Sequence, residues 1–126
     1  MKSIRRLLFC IPGFALLGLT GAATGSAQDP AVVNAQTVRV KLENSRVRVF
    51  ETVLRPGARE NMHSHPAYVI YIIDGGRFRN HTADGKSTEF DVPSGATIYS
   101  GPVTHWAENI GKTTTRLIVV ELKDAK

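Results

Sequence analysis

The stretch 57–76, GARENMHSHPAYVIYIIDGG, determines how the rest of this chain is interpreted. Within it, His63 and His65 are separated by one residue, and a continuous apolar run, 68–73, follows them. Side chains at positions i and i+2 of a strand point to the same face of a sheet. If these histidines lie on a strand, both imidazoles face one way and can reach a single metal ion.

A third histidine, His105, lies later in the chain within VTHWAEN and is the remaining candidate ligand. His81 shares strand parity with Arg77 and Arg79, so we expect it to face solvent with them. Three neutral imidazoles suit zinc, iron, copper or nickel. The sequence therefore predicts one divalent transition metal ion, of unspecified identity, at His63, His65 and His105. The alternative is a polar pocket that binds no metal.

The segments around these histidines predict an all-β fold. Alternating apolar and polar residues indicate strands at 38–42 and 47–54, and further short β-rich segments continue to a closing strand at 116–122. Asp84-Gly85, between two such segments, is a hairpin signal. No helical period is visible in this region. Short strands separated by turn residues predict an antiparallel sandwich or barrel in a single domain.

The first residues have the features of a signal peptide. A basic start is followed by an apolar run at 7–19 and by small residues up to Ala27, after which we predict cleavage. The run is shorter than the roughly 20 residues that a membrane-spanning helix needs. An uncleaved membrane anchor is the alternative. The predicted division of the chain is a signal peptide at 1–27, a flexible arm at 28–36 and a β-barrel domain at 37–123.

Loss of this leader changes the charge and the cysteine content. The formal net charge is +5 at pH 7, and removal of Lys2, Arg5 and Arg6 lowers it to +2 because every acidic residue lies after Ala27. This charge does not support nucleic-acid binding. Cys10, the single cysteine, also leaves, so the exported chain has no disulfide. We expect a periplasmic or extracellular protein with no stable membrane insertion after cleavage.

The histidine pattern resembles the first motif of the cupin superfamily. That motif runs glycine, five residues, His-x-His, three or four residues, glutamate, six residues, glycine. Gly57, His63, His65 and Gly76 match it. With the shorter spacing Val69 stands at the glutamate position, and with the longer spacing the position falls on Ile70.

The second cupin motif is matched in part. His105 and Asn109 have the separation of its histidine and asparagine, and a Gly101-Pro102 turn precedes them without the usual Pro-x-Gly spacing. The segments ADGK, ENIG and VVELK give a weaker likeness to small cupins associated with β-alanine degradation. The resemblance covers about 38–122.

The resemblance implies a jelly-roll-like barrel with the metal inside it and an open coordination position. It implies a metal-dependent, oxygenase-type enzyme acting on a small anionic molecule, or alternatively a non-catalytic module that binds a small ligand or a metal. The motif spacing points Val69, Tyr71 and Ile73 toward the metal, so these are the predicted pocket-lining residues. We expect Tyr71 to be a packed core residue rather than one that orients a ligand.

Other residues near the histidines carry lesser expectations. Glu60 or Glu108 could replace the missing carboxylate, although Glu108 has the wrong strand parity. Trp106 is expected to point away from the histidines and to pack between sheets. Asn109 is expected to secure the turn before Gly111. Cupins often form homodimers, and the candidate edge strands here are 38–42 and 116–122.

Overall fold

The structure is a computed structural model, which describes residues 28–124. The predicted signal peptide, 1–27, lies outside the described residues. A short helix, α1 (Pro30–Val33), precedes nine strands. The strands are β1 (Val38–Glu43), β2 (Val47–Leu54), β3 (His63–His65), β4 (Tyr68–Asp74), β5 (Gly76–Thr82), β6 (Ser87–Val92), β7 (Thr97–Ser100), β8 (Val103–Asn109) and β9 (Thr115–Leu122). Within 28–124 no helix has the length and apolar character required to cross a bilayer.

The strands form two antiparallel sheets. The five-stranded sheet has the order β1-β2-β9-β4-β7, and the four-stranded sheet has the order β3-β8-β5-β6. The predicted all-β antiparallel fold is thereby confirmed. Gly85 adopts a φ of +84° in the turn between β5 and β6, which explains the glycine at this hairpin. The expectation that 116–122 is an edge strand is wrong, because β9 pairs with β2 on one side and β4 on the other. The edges of this sheet are β1 and β7.

The core lies between the inner faces of the sheets and consists of two apolar clusters. Half-buried Ile70 packs against both. The first cluster contains Val38, Phe50, Tyr68 and Val119, and the second contains Leu54, Ile72, Phe78 and Val92. Alternation along each strand turns every second side chain toward this core. The histidines of β3 and β8 lie on the inner face of their sheet, next to these apolar clusters.

The segment 28–36, predicted as a flexible arm, instead packs against the barrel. Asp29 caps α1 by accepting a hydrogen bond from the Ala31 backbone N–H at 2.8 Å. Ala31 packs on the first core cluster, and Asn34 is only 3% exposed. The prediction was based on the polar and small residues of this segment. The contacts of Ala31 and Asn34 with the barrel are between residues far apart in sequence, so local composition does not reveal them.

Candidate metal centre

Two neighbouring strands bring the three predicted ligands together. His63 on β3 is paired directly with His105 on β8, and His65 follows two residues later on the same face. Their candidate ligand nitrogens all lie within 4.8 Å of one another. His63 and His65 are 2% and 7% exposed, so the cluster is enclosed rather than on the surface. The structure thus assembles a group that could hold a metal ion in its interior.

Hydrogen bonds at Nδ1 set the orientation of the two β3 histidines. His63 Nδ1 lies 2.7 Å from the Asn61 carbonyl oxygen, and His65 Nδ1 lies 2.7 Å from Glu121 Oε1. Carbonyl and carboxylate oxygens only accept, so each Nδ1 carries the proton and each Nε2 keeps its lone pair. Such partners fix the tautomer and the ring orientation of metal-binding histidines.

His105 has the same arrangement. Its Nδ1 lies 2.6 Å from Asn80 Oδ1, on the neighbouring strand β5. Its Nε2 is buried and has no hydrogen-bond partner, the single such side-chain nitrogen or oxygen found within residues 28–124. An unpartnered buried polar atom is unfavourable. A metal ion would satisfy it, so the residues present fit a metal at this position.

Burial keeps two of these imidazoles uncharged. It lowers the pKa of His63 to about 4, although the hydrogen bond to the Asn61 carbonyl opposes the change. It lowers the pKa of His105 to about 3, and the neighbouring His63 and His65 add to this effect. A metal must compete with protons for imidazole nitrogens. At neutral pH His63 and His105 already present free lone pairs.

A chain of charges behind His65 connects the cluster to the N-terminal segment. Glu121 is 3% exposed and also accepts from Arg48 Nε at 2.8 Å, while Arg48 donates to Asp29 at 2.6 Å. Burial alone would raise the pKa of Glu121, but the hydrogen bonds from His65 and Arg48 hold it below its usual value. Glu121 therefore stays ionised and orients the ring of His65.

The motif's glutamate is replaced by an apolar residue, and another carboxyl group faces the site. Ile70 lines the cavity, so the longer motif spacing identifies the inward position. Glu60 lines the same cavity with 8% exposure, and its Oε2 lies 3.8 Å from His63 Nε2. Burial raises the pKa of Glu60 to about 7, against the opposing effect of the Ala107 N–H.

Glu108, the other carboxylate considered, is on the outer face of the sheet. It accepts hydrogen bonds from Arg79 at 2.9 Å and contacts His81 Nε2 at 3.2 Å. His81 is also stacked on Trp106, with ring centroids 3.6 Å apart. His81 therefore faces outward as predicted. Trp106 points away from the cluster as predicted, but it does not pack between the sheets, since Arg59 covers its ring at 4.5 Å on this outer surface.

The cavity beside the histidines has a volume of about 270 Å³ and a mainly apolar lining. Its apolar and aromatic lining residues are Leu54, Tyr68, Ile70, Ile72, Phe78, Phe90, Val92, Ile98, Tyr99, Ala107, Leu117 and Val119. No lysine or arginine of the described chain lines it. Phe90, Ile98 and Tyr99 are 40%, 37% and 67% exposed, so they surround the opening.

The predicted pocket residues Val69, Tyr71 and Ile73 do not line this cavity. They lie on the opposite face of β4, where Tyr71 is 49% exposed and is neither a pocket nor a core residue. The prediction followed the shorter motif spacing, which puts Val69 at the glutamate position, whereas Ile70, at the longer spacing, lines the cavity. The strands β3 and β4 belong to different sheets, so the parity is not preserved through the connection between them.

Two residues that support the site were missed from sequence. Glu121 shares its strand face with Val119, and Asn80 shares its face with Phe78, both of which are buried core residues. A charged or amide side chain at a strand position whose i−2 neighbour is a buried apolar residue is expected to be buried and hydrogen-bonded. Asn109 was interpreted correctly, because its Oδ1 accepts from the Gly111 N–H at 3.0 Å.

Comparisons with known proteins agree with this architecture. No family model matches the chain, and no curated protein matches it. A cupin domain protein from Bordetella pertussis Tohama I superposes with a TM-score of 0.64 at 26% identity, covering 69% of this chain and 92% of that one. An RmlC-like cupin family protein with a double-stranded β-helix fold, from Methanocaldococcus jannaschii, gives a TM-score of 0.56 at 20% identity over 71% and 84%. A predicted oxalate decarboxylase from Thermotoga maritima gives 0.52 at 23% over 69% and 79%.

These neighbours and the antiparallel sheets show that the chain is a small member of the cupin superfamily. In this chain the site consists of a three-histidine cluster at His63, His65 and His105, with Ile70 lining the cavity beside it.

Proposed function

We propose that this chain is an exported metalloprotein whose three histidines bind one divalent transition metal and whose cavity binds a small molecule at that metal. The observation that carries the proposal is the buried, unpartnered Nε2 of His105, which belongs to a group of three converging imidazoles. We further propose that the protein is an oxygenase-type enzyme. A bound iron would supply dioxygen activation, whereas zinc would supply an activated water.

The chain's own residues would position and enclose the reacting molecule. Asn61, Glu121 and Asn80 hold the three imidazoles in place through Nδ1. The mainly apolar lining would displace water around a bound molecule and so strengthen electrostatic interactions within the cavity. Glu60 is the titratable carboxyl group that faces the histidines from the side.

The cavity supports a particular class of ligand. Because no lysine or arginine of the described chain lines it, the metal would be the positive charge available to an anionic group. A second anionic group would lie in a mainly apolar wall without a positively charged side chain to pair with. We therefore propose a ligand with one anionic oxygen-donor end and an apolar or aromatic body, small enough for a cavity of about 270 Å³.

A non-catalytic ligand-binding module is the second candidate. It is favoured by the composition of the cavity, whose lining includes no cysteine or lysine that could act as a nucleophile within residues 28–124. Such a module would bind the metal or the ligand without turnover.

We also propose a homodimer formed by pairing of the edge strand β1, on which Val40 and Leu42 are 45% and 48% exposed.

Metal content and oxygen consumption test the proposal. Protein purified from its native compartment should contain about one iron, zinc, copper or nickel ion per chain by elemental mass spectrometry. A variant with His63, His65 and His105 changed to alanine should contain none, while His81→Ala should keep the metal. Ligand-dependent oxygen uptake by the iron-loaded protein would support the enzyme, and ligand binding without uptake would support the module. A metal-free wild type would contradict both metal-dependent proposals.

A further inference from the structure

A buried carboxyl group faces the histidine cluster from a position outside the cupin motif. Glu60 precedes the first histidine in the chain, whereas the motif glutamate follows the second. Its Oε2 lies 3.8 Å from His63 Nε2, which is too long for a hydrogen bond. Ligand atoms bound to one ion at about 2.1 Å lie about 3–3.5 Å apart. The two atoms are therefore close to the spacing of two ligands that share an ion.

Both facing atoms present lone pairs. His63 donates through Nδ1 to the Asn61 carbonyl, so Nε2 is unprotonated in the neutral ring. Glu60 Oε2 accepts a long hydrogen bond of 3.3 Å from the Ala107 N–H. A buried carboxylate with such weak compensation is unfavourable unless a cation lies nearby. A metal ion between the two atoms would satisfy both of them.

The register of the backbone explains why Glu60 faces inward. In a regular strand Glu60 would have the opposite parity from His63 and would point away from the cavity. His63 is paired with His105, but the Glu60 N–H donates to the Ala107 carbonyl at 2.9 Å. The residue opposite Ala107 is therefore three positions before His63 instead of two.

The additional residue forms a β-bulge. Asn61 and Met62 together lie opposite Trp106, two residues against one. This insertion reverses the alternation, so Glu60 is placed on the same face as His63. A local irregularity of the backbone, and not the motif spacing, thus supplies a carboxyl group to the site.

We propose that Glu60 is a fourth protein ligand of the metal, giving three imidazoles and one carboxylate in an arrangement that replaces the missing motif glutamate. This inference rests on the proposed function, because it requires a metal at the histidines. A carboxylate ligand favours harder ions such as manganese, whereas three imidazoles alone suit zinc and copper. Glu60 should therefore widen the range of metals that the site accepts.

Metal titration of the metal-free protein tests this assignment. Wild type, Glu60→Gln and Glu108→Gln are each titrated with Mn²⁺ and with Zn²⁺ by calorimetry. Glu60→Gln keeps an acceptor for the Ala107 N–H and should lower Mn²⁺ affinity by about tenfold or more, with a smaller loss for Zn²⁺. Glu108→Gln removes a carboxylate from the outer face and should change neither affinity. Equal affinities in wild type and Glu60→Gln would overturn the assignment while leaving the three-histidine site intact.

A measurement on the unaltered chain decides the case if Glu60→Gln does not fold. In a crystal structure of the zinc-loaded wild type, a Glu60 oxygen should lie about 2.0–2.2 Å from the ion. A carboxyl group outside bonding distance would contradict the inference alone. A wild type that binds neither Mn²⁺ nor Zn²⁺ would contradict both this inference and the proposed function.

Discussion

Single side chains behind the histidines determine how well the candidate site is preorganised. The ring of His105 is oriented by Asn80 Oδ1 at 2.6 Å, and that of His65 by Glu121 Oε1 at 2.7 Å. Each partner accepts the proton of an Nδ1, which leaves the corresponding Nε2 free for a metal, and Asn80 also lines the cavity. Loss of such a partner commonly weakens metal binding by about 10–100-fold.

Asn80→Leu should therefore weaken metal affinity by about 10–100-fold without unfolding the protein. Leucine is similar in size to asparagine but offers no acceptor to His105 Nδ1. The affinity is measured by calorimetry, and circular dichroism checks the fold. Asn80→Asp keeps the acceptor and should retain most of the affinity. Equal weakening by Leu and Asp would show that the hydrogen bond is not the cause.

At the scale of elements, the N-terminal segment stabilises the site from outside the barrel. Asn34 Oδ1 accepts from the Asn61 N–H at 2.6 Å, and Asn34 Nδ2 donates at 3.3 Å to the Asn61 carbonyl oxygen, which also accepts from His63 Nδ1. Gln28 accepts from Ser64 at 2.8 Å on the same strand as the histidines. Ordering of this segment should therefore be coupled to the geometry of His63.

Asn34→Ala should lower the free energy of unfolding by about 1–3 kcal/mol, because buried partners lose their hydrogen bonds. It should also reduce metal affinity, because His63 and Asn61 are less constrained. Chemical denaturation and metal titration measure the two effects. Val32→Ala, in a side chain that is 67% exposed on the same helix, should leave both close to wild type. A loss of stability with full metal affinity would limit the segment to a structural role.

The elements were largely predictable from sequence, whereas their relative orientations were not. The strand β2 matches its predicted bounds, 47–54, because alternation and turn residues are local properties. The parity of β4 was wrong because it depends on how the chain passes between sheets. The side chain of Glu60 faces the cavity because of a β-bulge, and neither the composition of this segment nor its apolar periodicity indicates that bulge.

At the scale of the whole molecule, enclosing the histidines makes stability depend on pH. In the folded metal-free chain burial lowers the pKa of His63 to about 4 and that of His105 to about 3, both below the ordinary histidine value of 6.5. Between these values and 6.5 the unfolded chain binds more protons than the folded chain. Stability contributed by the neutral rings is therefore present above about pH 6.5 and is lost as the pH falls.

The metal-stripped protein should consequently lose stability from about pH 6.5 toward pH 4, as measured by denaturation at a series of pH values. Glu60 opposes part of this loss, because burial raises its pKa to about 7 and the folded chain therefore holds its proton more tightly than the unfolded chain does. His105→Gln should reduce this slope, because one of the two rings no longer titrates. Saturating metal should raise the free energy of unfolding, by about 2.7 kcal/mol at 100 times the dissociation constant. A flat profile for the metal-stripped wild type would mean that the rings are accessible to protons in the folded state.

The β-bulge at Asn61 and Met62 exists because the segment between Glu60 and His63 is one residue longer than a regular strand requires. Because of the extra residue, Asn61 does not pair with β8. Its carbonyl accepts a hydrogen bond from His63 Nδ1, and its N–H donates to Asn34 Oδ1 in the N-terminal segment. In a chain shortened by Met62, Glu60 would stand two positions before His63 and would still face inward in a regular strand. Asn61, however, would return to ordinary pairing. Deletion of Met62 alone would thus keep Glu60 facing the cavity while removing the hydrogen bond between Asn61 and the N-terminal segment. The natural spacing provides both.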